Sequence, residues 1–131
     1  MITEDFMQRA RILIVDDEQP NVRLLERLLL TGGYADVRGT TDSRNAVSLF
    51  EEMRPDLVML DLHMPHMDGF NVQTHLARKC AALPVIIVTG HDFPKARERA
   101  MAGGASAFLR KPVHDRTLLD AISAATTCAT R

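Results

Sequence analysis

Residues 57–65 read LVMLDLHMP, four apolar residues that run directly into Asp61. A continuous apolar run that follows Pro55 predicts a β-strand buried on both faces of a sheet. In open parallel sheets, ligands bind outside the carboxyl ends of the strands. We therefore expect Asp61 to lie at the mouth of such a sheet, although an aspartate in this position can also simply begin a turn.

A second apolar run, RILIV at 11–15, ends in the same way, with Asp16 and Asp17 directly after it. Further strands are predicted at 85–88, which is followed by Thr89, and at 107–109, which is followed shortly by Lys111. The segment 35–39 is a weak strand with little apolar content, and we place it at a sheet edge.

Helical patterns separate these strands. The first begins near Pro20 and ends at Gly32, and the second carries apolar residues from Ala46 to Met53. The third is marked by Phe70, Val72, Leu76 and Cys80. A short fourth helix over 95–101 has only Ala96, Ala100 and Met101 as apolar anchors. Asp115 is predicted to cap a fifth helix that runs to Ala125.

Five strand–helix units in alternation predict an α/β fold with a parallel five-stranded sheet and helices on both faces. The weak second strand favours the flavodoxin-like strand order 2-1-3-4-5 of a doubly wound (βα)5 sheet. Its switch point lies between the first and third strands, which end in Asp16-Asp17 and in Asp61. This arrangement would bring the carboxylates together.

The composition fits one domain of 131 residues with a net charge of −1. We divide the chain into a lead-in at 1–10, loose or helical, a domain at 11–126, and a tail or start of a linker at 127–131. The balanced charge argues against direct contact with nucleic acid. No run is long enough to span a membrane, and the first ten residues lack the features of a secretory signal. Cys80 and Cys128 have no metal-binding spacing, which favours a reduced, cytoplasmic protein.

The predicted rim of the sheet collects five polar side chains: Asp16, Asp17, Asp61, Thr89 and Lys111. Three carboxylates brought together repel one another, and oxygen-only ligands favour a hard cation such as Mg²⁺. Mg²⁺ commonly binds one or two carboxylates together with phosphate oxygens. With the ammonium group of Lys111 and the hydroxyl group of Thr89, the set suits phosphoryl transfer to Asp61 as the nucleophile.

Four fragments carry a resemblance to a known family: VDDE at 15–18, LDLHMPHMDG at 60–69, VTG at 88–90 and KP at 111–112. In this order, at the ends of successive strands, they resemble the receiver domains of bacterial two-component response regulators, including chemotaxis regulators, over roughly residues 11–126. The resemblance implies a phosphorylation-dependent switch rather than an enzyme of multiple turnover. Its partner would be a sensor histidine kinase or a histidine phosphotransfer protein.

The resemblance also implies a role for each site residue. Asp61 would accept the phosphoryl group, while Thr89 and Lys111 would hold its oxygens. Mg²⁺ would be bound by Asp17, Asp61 and the backbone carbonyl of His63, with Asp16 close by or acting through water. A cis peptide bond is implied between Lys111 and Pro112.

Phe108 occupies the position of a switch aromatic residue, which would respond to a movement of Thr89. The fourth helix, fifth strand and fifth helix would then carry the signal. Their charged residues include both signs, which suits either a two-fold dimer face or an ordinary solvated surface. The string NVRLLERLL at 21–29, followed by Gly33-Tyr34, is similar to receivers that precede cyclic-dinucleotide or kinase modules. An output domain, or a separate output partner, is therefore possible.

Two other functions compete with the switch. A Mg²⁺-dependent phosphatase with an aspartyl nucleophile usually carries a second Asp two residues later, where this chain has His63. A binding module that has lost phosphorylation would not need the complete set of rim residues. A transition-metal site is disfavoured because His63, His66 and His91 lie on loops, His75 and His114 lie elsewhere, and no pair has a helical ligand spacing.

Overall fold

The computed structural model describes residues 4–64, 68–90 and 94–129. The expectations for His66 and His91 lie outside the described residues, as does the side chain of Cys128. None of the described helices is long and apolar enough to cross a bilayer.

In the part of the chain that the structure describes, five parallel strands form one sheet in the order β2-β1-β3-β4-β5, which confirms the predicted topology. The strands are β1 Arg11–Val15, β2 Asp36–Thr40, β3 Leu57–Leu60, β4 Val85–Thr89 and β5 Ala107–Arg110. Every residue of β3 and β4 is buried, as continuous apolar runs predict for central strands covered on both faces. The less apolar β2 lies at an edge and is half-exposed.

Within residues 4–64, 68–90 and 94–129, six α-helices flank the sheet, and a 3₁₀ turn at Ser43–Asn45, capped by the Asp42 carboxylate, precedes the third. The helices are α1 Glu4–Arg9, α2 Gln19–Thr31, α3 Ala46–Met53, α4 Gly69–Lys79, α5 Pro94–Ala102 and α6 Asp115–Ala129. Two hydrophobic clusters separate them by face: α3, α4 and α5 pack on one side, and α1, α2 and α6 on the other. The structure therefore has the two covered faces that a parallel sheet requires.

Two apolar anchors were predicted wrongly. Cys80 is exposed and lies after the end of α4, because its backbone is extended while its N–H still donates to the Leu76 carbonyl. Met101 is 45% exposed, so that α5 buries only Ala100 and partly Ala96. The helix α5 is thus held to the sheet by less apolar surface than its sequence indicates.

The last helix also differs from its prediction. Asp115 is the first residue of α6 and not its cap, and its carboxylate accepts a hydrogen bond from the N–H of Arg116. The helix continues to Ala129 instead of ending at Ala125.

Candidate functional site

Three carboxylates meet at the carboxyl ends of β1 and β3. Asp16 and Asp17 follow β1, Asp61 follows β3, and the N–H of Asp61 donates to the Val15 carbonyl across the two strands. One ligand oxygen of each carboxylate lies within 4.8 Å of those of the other two. Asp16 and Asp61 are buried, whereas Asp17 is half-exposed. The structure therefore brings together the three acids that the strand ends predicted.

Lys111 supplies the positive charge of this site. Its Nζ lies 2.6 Å from Asp16 Oδ2 and 3.4 Å from Asp61 Oδ2. Its backbone N–H donates to the Thr89 carbonyl at 2.9 Å, which joins the end of β5 to the end of β4. The peptide bond between Lys111 and Pro112 is cis, as the resemblance implied. One ammonium group thus bridges two carboxylates on neighbouring strands.

Two further groups hydrogen-bond to the Asp61 carboxylate. Thr89, fully buried at the end of β4, does so through its side chain. The backbone N–H of His63 lies 3.4 Å from Asp61 Oδ1, and the His63 side chain is exposed. The carboxylate of Asp61 is therefore oriented from several sides.

Burial raises the pKa of Asp61 above its ordinary value, and the negative charge of Asp16 adds to this effect. Lys111, Thr89 and the His63 N–H oppose the rise without cancelling it. For Lys111, burial alone would lower the pKa. The hydrogen bond to Asp16 and the charges of Asp61 and Asp16 outweigh burial and raise it. The site thus holds more negative charge than its single ammonium group offsets, which favours binding of a further cation.

A cavity of about 170 Å³ opens beside Asp61. It is lined by Asp17, Glu18, Asn21, Asp61, His63, Gly90 and Lys111. Asn21 was not expected here; its side chain donates a hydrogen bond to Glu18 Oε2 at 3.2 Å. The sequence could have predicted this position of Asn21, because Asn21 lies three residues after Glu18 in the first turn of α2, and side chains at this spacing face each other. The cavity has room for a small anion next to the Asp61 carboxylate.

Gly69 brings the first turn of α4 against the backbone of Asp61. A Cβ atom at this position would lie 2.3 Å from the Asp61 carbonyl oxygen and 2.5 Å from Leu62 Cα. The Gly69 N–H donates to the Leu62 carbonyl at 2.9 Å. Only a glycine permits this contact between the helix and the loop that carries the acid.

Phe108 lies inside the protein, away from the cavity. It is 8% exposed on β5, pairs with Ile87 of β4, and packs in the cluster beneath α3, α4 and α5. The guanidinium group of Arg97 on α5 lies 5.1 Å from the centre of its ring. Phe108 thus joins β5 to α5, two positions along the paired strands from Thr89.

Residues 12–123 match the family described as the response regulator receiver domain. This chain belongs to that family. The receiver resembles Protein PilH of Pseudomonas aeruginosa, with 36% identity over 117 residues that cover 88% of this chain and 96% of PilH. It also resembles Response regulator PleD of Caulobacter vibrioides, with 41% identity over 108 residues that cover 81% of this chain and 24% of PleD.

A solved structure agrees with this assignment. A response regulator receiver domain protein from Clostridium thermocellum superposes with a TM-score of 0.87 at 31% identity, covering 92% of this chain and 97% of that one. The receiver therefore has the fold and the family role of a phosphorylation-dependent switch in two-component signalling. Against PleD it spans about a quarter of the relative's length.

The family implies a resident Mg²⁺, and the residues present fit it. Three converging carboxylates offer only oxygen atoms, which a hard cation prefers, and one ammonium group leaves them with excess negative charge. Among the described residues, no histidine or cysteine side chain joins this group. The donor set therefore favours Mg²⁺ over a softer transition metal.

Proposed function

We propose that Asp61 accepts a phosphoryl group from the phosphohistidine of a kinase or of a phosphotransfer protein. The observation that supports this most is the position of Asp61. Its buried carboxylate borders an open cavity and is contacted by an ammonium group, a hydroxyl group and a backbone N–H. These groups can hold an incoming anion in line with the acid.

In the transfer, an Asp61 carboxylate oxygen attacks the phosphorus atom, and the bond from phosphorus to the histidine nitrogen breaks. Lys111 and Thr89 move their donors from the carboxylate to the phosphoryl oxygens. Asp16, Asp17, Asp61 and the His63 carbonyl would hold Mg²⁺, which supplies charge neutralisation for those oxygens. Water later attacks the phosphorus atom, the bond from phosphorus to the Asp61 oxygen breaks, and inorganic phosphate leaves, which restores the carboxylate.

The test is phosphorylation by acetyl phosphate with Mg²⁺, followed by mass spectrometry of the intact chain. We expect one phosphoryl group on the parent protein and on Asp120→Asn, an exposed-carboxylate control. Asp61→Asn should gain none. An unchanged product in Asp61→Asn would refute the assignment. Rapid release of many phosphates per chain would instead favour a phosphatase.

The signal would leave through the face formed by α5, β5 and α6. When Thr89 turns toward the phosphoryl group it opens space, and Phe108 is the large side chain two strand positions away that can fill it. This makes α5, β5 and α6 a two-state element that phosphorylation biases. The face carries exposed charges of both signs, at Arg97, Glu98, Arg110, Asp115 and Asp120.

The partner of that face is a second copy of this chain, an output domain or a separate output protein. Paired copies would bring opposite charges together across a two-fold axis. Sedimentation equilibrium with and without beryllofluoride measures whether copies pair. We place the receiver in the cytoplasm, where a phosphohistidine donor is available.

An apolar cavity of about 250 Å³ adjoins the site and suits the phosphohistidine donor protein. It is lined by Asn21, Leu24, Leu25, Val88, Lys111, Pro112 and Val113. Leu24 is 46% exposed, and Asn21 and Lys111 also line the cavity beside Asp61. A protein that brings a histidine to Asp61 would cover this apolar surface, because the two cavities share Asn21 and Lys111 in their linings.

A further inference from the structure

Gln73 joins two helices, α4 and α5, on the same face of the sheet. It is 4% exposed, and its Nε2 donates to the Ala100 carbonyl at 2.8 Å. A Cβ atom on Gly103 would come within 3.0 Å of the Gln73 side chain, so the end of α5 packs directly on this amide. A buried amide is costly without a hydrogen bond, so the contact fixes the position of one helix relative to the other.

The Ala100 carbonyl, which Gln73 contacts, lies in the last turn of α5. The Ala105 N–H donates to the same Ala100 carbonyl at 3.1 Å, and the Gly104 N–H donates to the Met101 carbonyl at 3.1 Å. Gly104 has a φ of +99°. This is a Schellman motif, in which the glycine takes the left-handed conformation. Gln73 therefore binds a well-defined backbone geometry.

A second contact lies beside the first. The guanidinium group of Arg99 sits 4.0 Å from the centre of the Phe70 ring. Phe70 and Gln73 are three residues apart on α4, so they face the same side, and Arg99 and Ala100 are consecutive on α5. The two contacts hold the C-terminal half of α5 to α4. The N-terminal half is held to β5 by Arg97 and Phe108.

The first turn of α4 contacts the backbone of Asp61, the proposed phosphoryl acceptor. Gly69 packs against the Asp61 carbonyl and precedes Gln73 by four residues, one turn of α4. A movement of the Asp61 backbone would move the first turn of α4. That movement would reach Ala100 through a single buried hydrogen bond.

We propose that Gln73 is a positioning residue that couples the C-terminal half of α5 to the backbone of Asp61 through α4. This route is separate from the route through Thr89 and Phe108. The proposal rests on Asp61 being the phosphoryl acceptor. In this proposal, phosphorylation of Asp61 acts on the C-terminal half of α5 through α4 and Gln73. It acts on the N-terminal half through Thr89 and Phe108.

The test records backbone amide chemical shifts of the full chain before and after addition of beryllofluoride with Mg²⁺. In Gln73→Met, which keeps the volume and removes the donor, the response of residues 99–102 should fall to less than roughly half the parent's, because the coupling contact is lost. Thr89 and Phe108 should respond as in the parent. The exposed neighbour on the same helix, His75→Met, is the matched control and should respond fully.

Arg99→Ala provides a second variant that alters no buried residue, and it should weaken the response of residues 100–102 in the same direction. Circular dichroism reports whether Gln73→Met folds. If it does not fold, Arg99→Ala decides the question. A parent-sized response of residues 100–102 in folded Gln73→Met, or in Arg99→Ala where Gln73→Met does not fold, would overturn the proposal. The proposal would also be overturned if Phe108 lost its chemical-shift response to the same extent as residues 100–102. If the parent itself shows no response at Asp61, the proposed acceptor is wrong, and the role of Gln73 is wrong with it.

Discussion

Asp61 carries a negative charge in surroundings that disfavour it. Burial is the main cause of its raised pKa, and Asp16 is a second cause. A carboxylate whose pKa is higher in the folded protein than in the unfolded chain reduces stability at pH values above both. This cost disappears as the pH falls through the raised pKa toward the ordinary value. Keeping Asp61 ionised in this site therefore lowers the free energy of unfolding of the protein.

We therefore expect Asp61→Asn to raise the thermal unfolding midpoint of the metal-free protein at neutral pH. The gain should shrink as the pH falls through the raised pKa, because the parent then loses its own charge. Calorimetry in the presence of a chelator, with Asp120→Asn as the exposed control, measures both effects. A lower midpoint for Asp61→Asn at neutral pH would show that the site stabilises the charged acid.

Asp16 and Asp17 are neighbours with different surroundings. Asp16 is buried, contacts Lys111 at 2.6 Å and accepts from the Glu18 N–H at 3.0 Å. Asp17 is half-exposed and lines the cavity. The charge of Asp16 is thus largely engaged by the protein, whereas Asp17 is available to a cation.

For this reason Asp17→Asn should lower Mg²⁺ affinity by at least about tenfold, and Asp16→Asn should lower it less. Titration calorimetry on both variants, each checked for folding, gives the two affinities. Equal and negligible losses would reject the three-acid site. A larger loss for Asp16→Asn would exchange the roles of the two acids.

The acids at this site were predictable because each follows directly after an apolar strand. Thr89 and Lys111 were predictable for a similar reason. Gln73 was missed because a polar residue on an amphipathic helix is normally predicted to face solvent. Only its tertiary contact with Ala100 makes its burial favourable. Gly69 ends the fragment LDLHMPHMDG that carried the family resemblance, but its contact with the Asp61 carbonyl depends on how α4 meets the loop.

Among α3, α4 and α5, which share one face of the sheet, α5 is the least firmly packed helix. Ala100 is its only buried residue among those described, whereas α4 buries Val72, Gln73 and Leu76 as well as Gly69. The sequence predicted this weakness from few apolar residues, but overstated the anchoring by Met101. Hydrophobicity alone did not show that Met101 faces away from the sheet.

Weak burial should appear as low local stability. We expect the amides of residues 98–102 on α5 to exchange with solvent at least roughly tenfold faster than those of residues 73–79 on α4. Native-state hydrogen exchange followed by NMR measures both sets in one sample. Equal protection in the two helices would show that α5 is as firmly held as α4 and would weaken its assignment as the moving element.

The strand order of the sheet follows from the weak second strand and the two strands that end in acids. What could not be predicted is the surface around the site, because it is formed by residues distant in sequence. Leu24 on α2 and Val113 after β5 line one apolar cavity, and no local pattern places them together.

This cavity leads to a prediction about the donor. Leu24→Asp should slow phosphorylation by a phosphorylated donor protein roughly tenfold or more, because it places a charge in the apolar contact. Phosphorylation by acetyl phosphate should not change, since a small donor does not need the surface. Leu30→Asp is the matched control, because Leu30 is 53% exposed on the same helix but lies outside the cavity. Equal rates for Leu24→Asp and the parent would show that the donor protein does not bind this surface.

In the proposed reaction, Asp61 is the one of three clustered acids that receives the phosphoryl group. Reduction of the phosphorylated protein with sodium borohydride converts an aspartyl phosphate to homoserine, which tandem mass spectrometry of the digested chain can locate. We expect homoserine at position 61 and unmodified Asp16 and Asp17. Homoserine at position 16 or 17, with Asp61 intact, would contradict it.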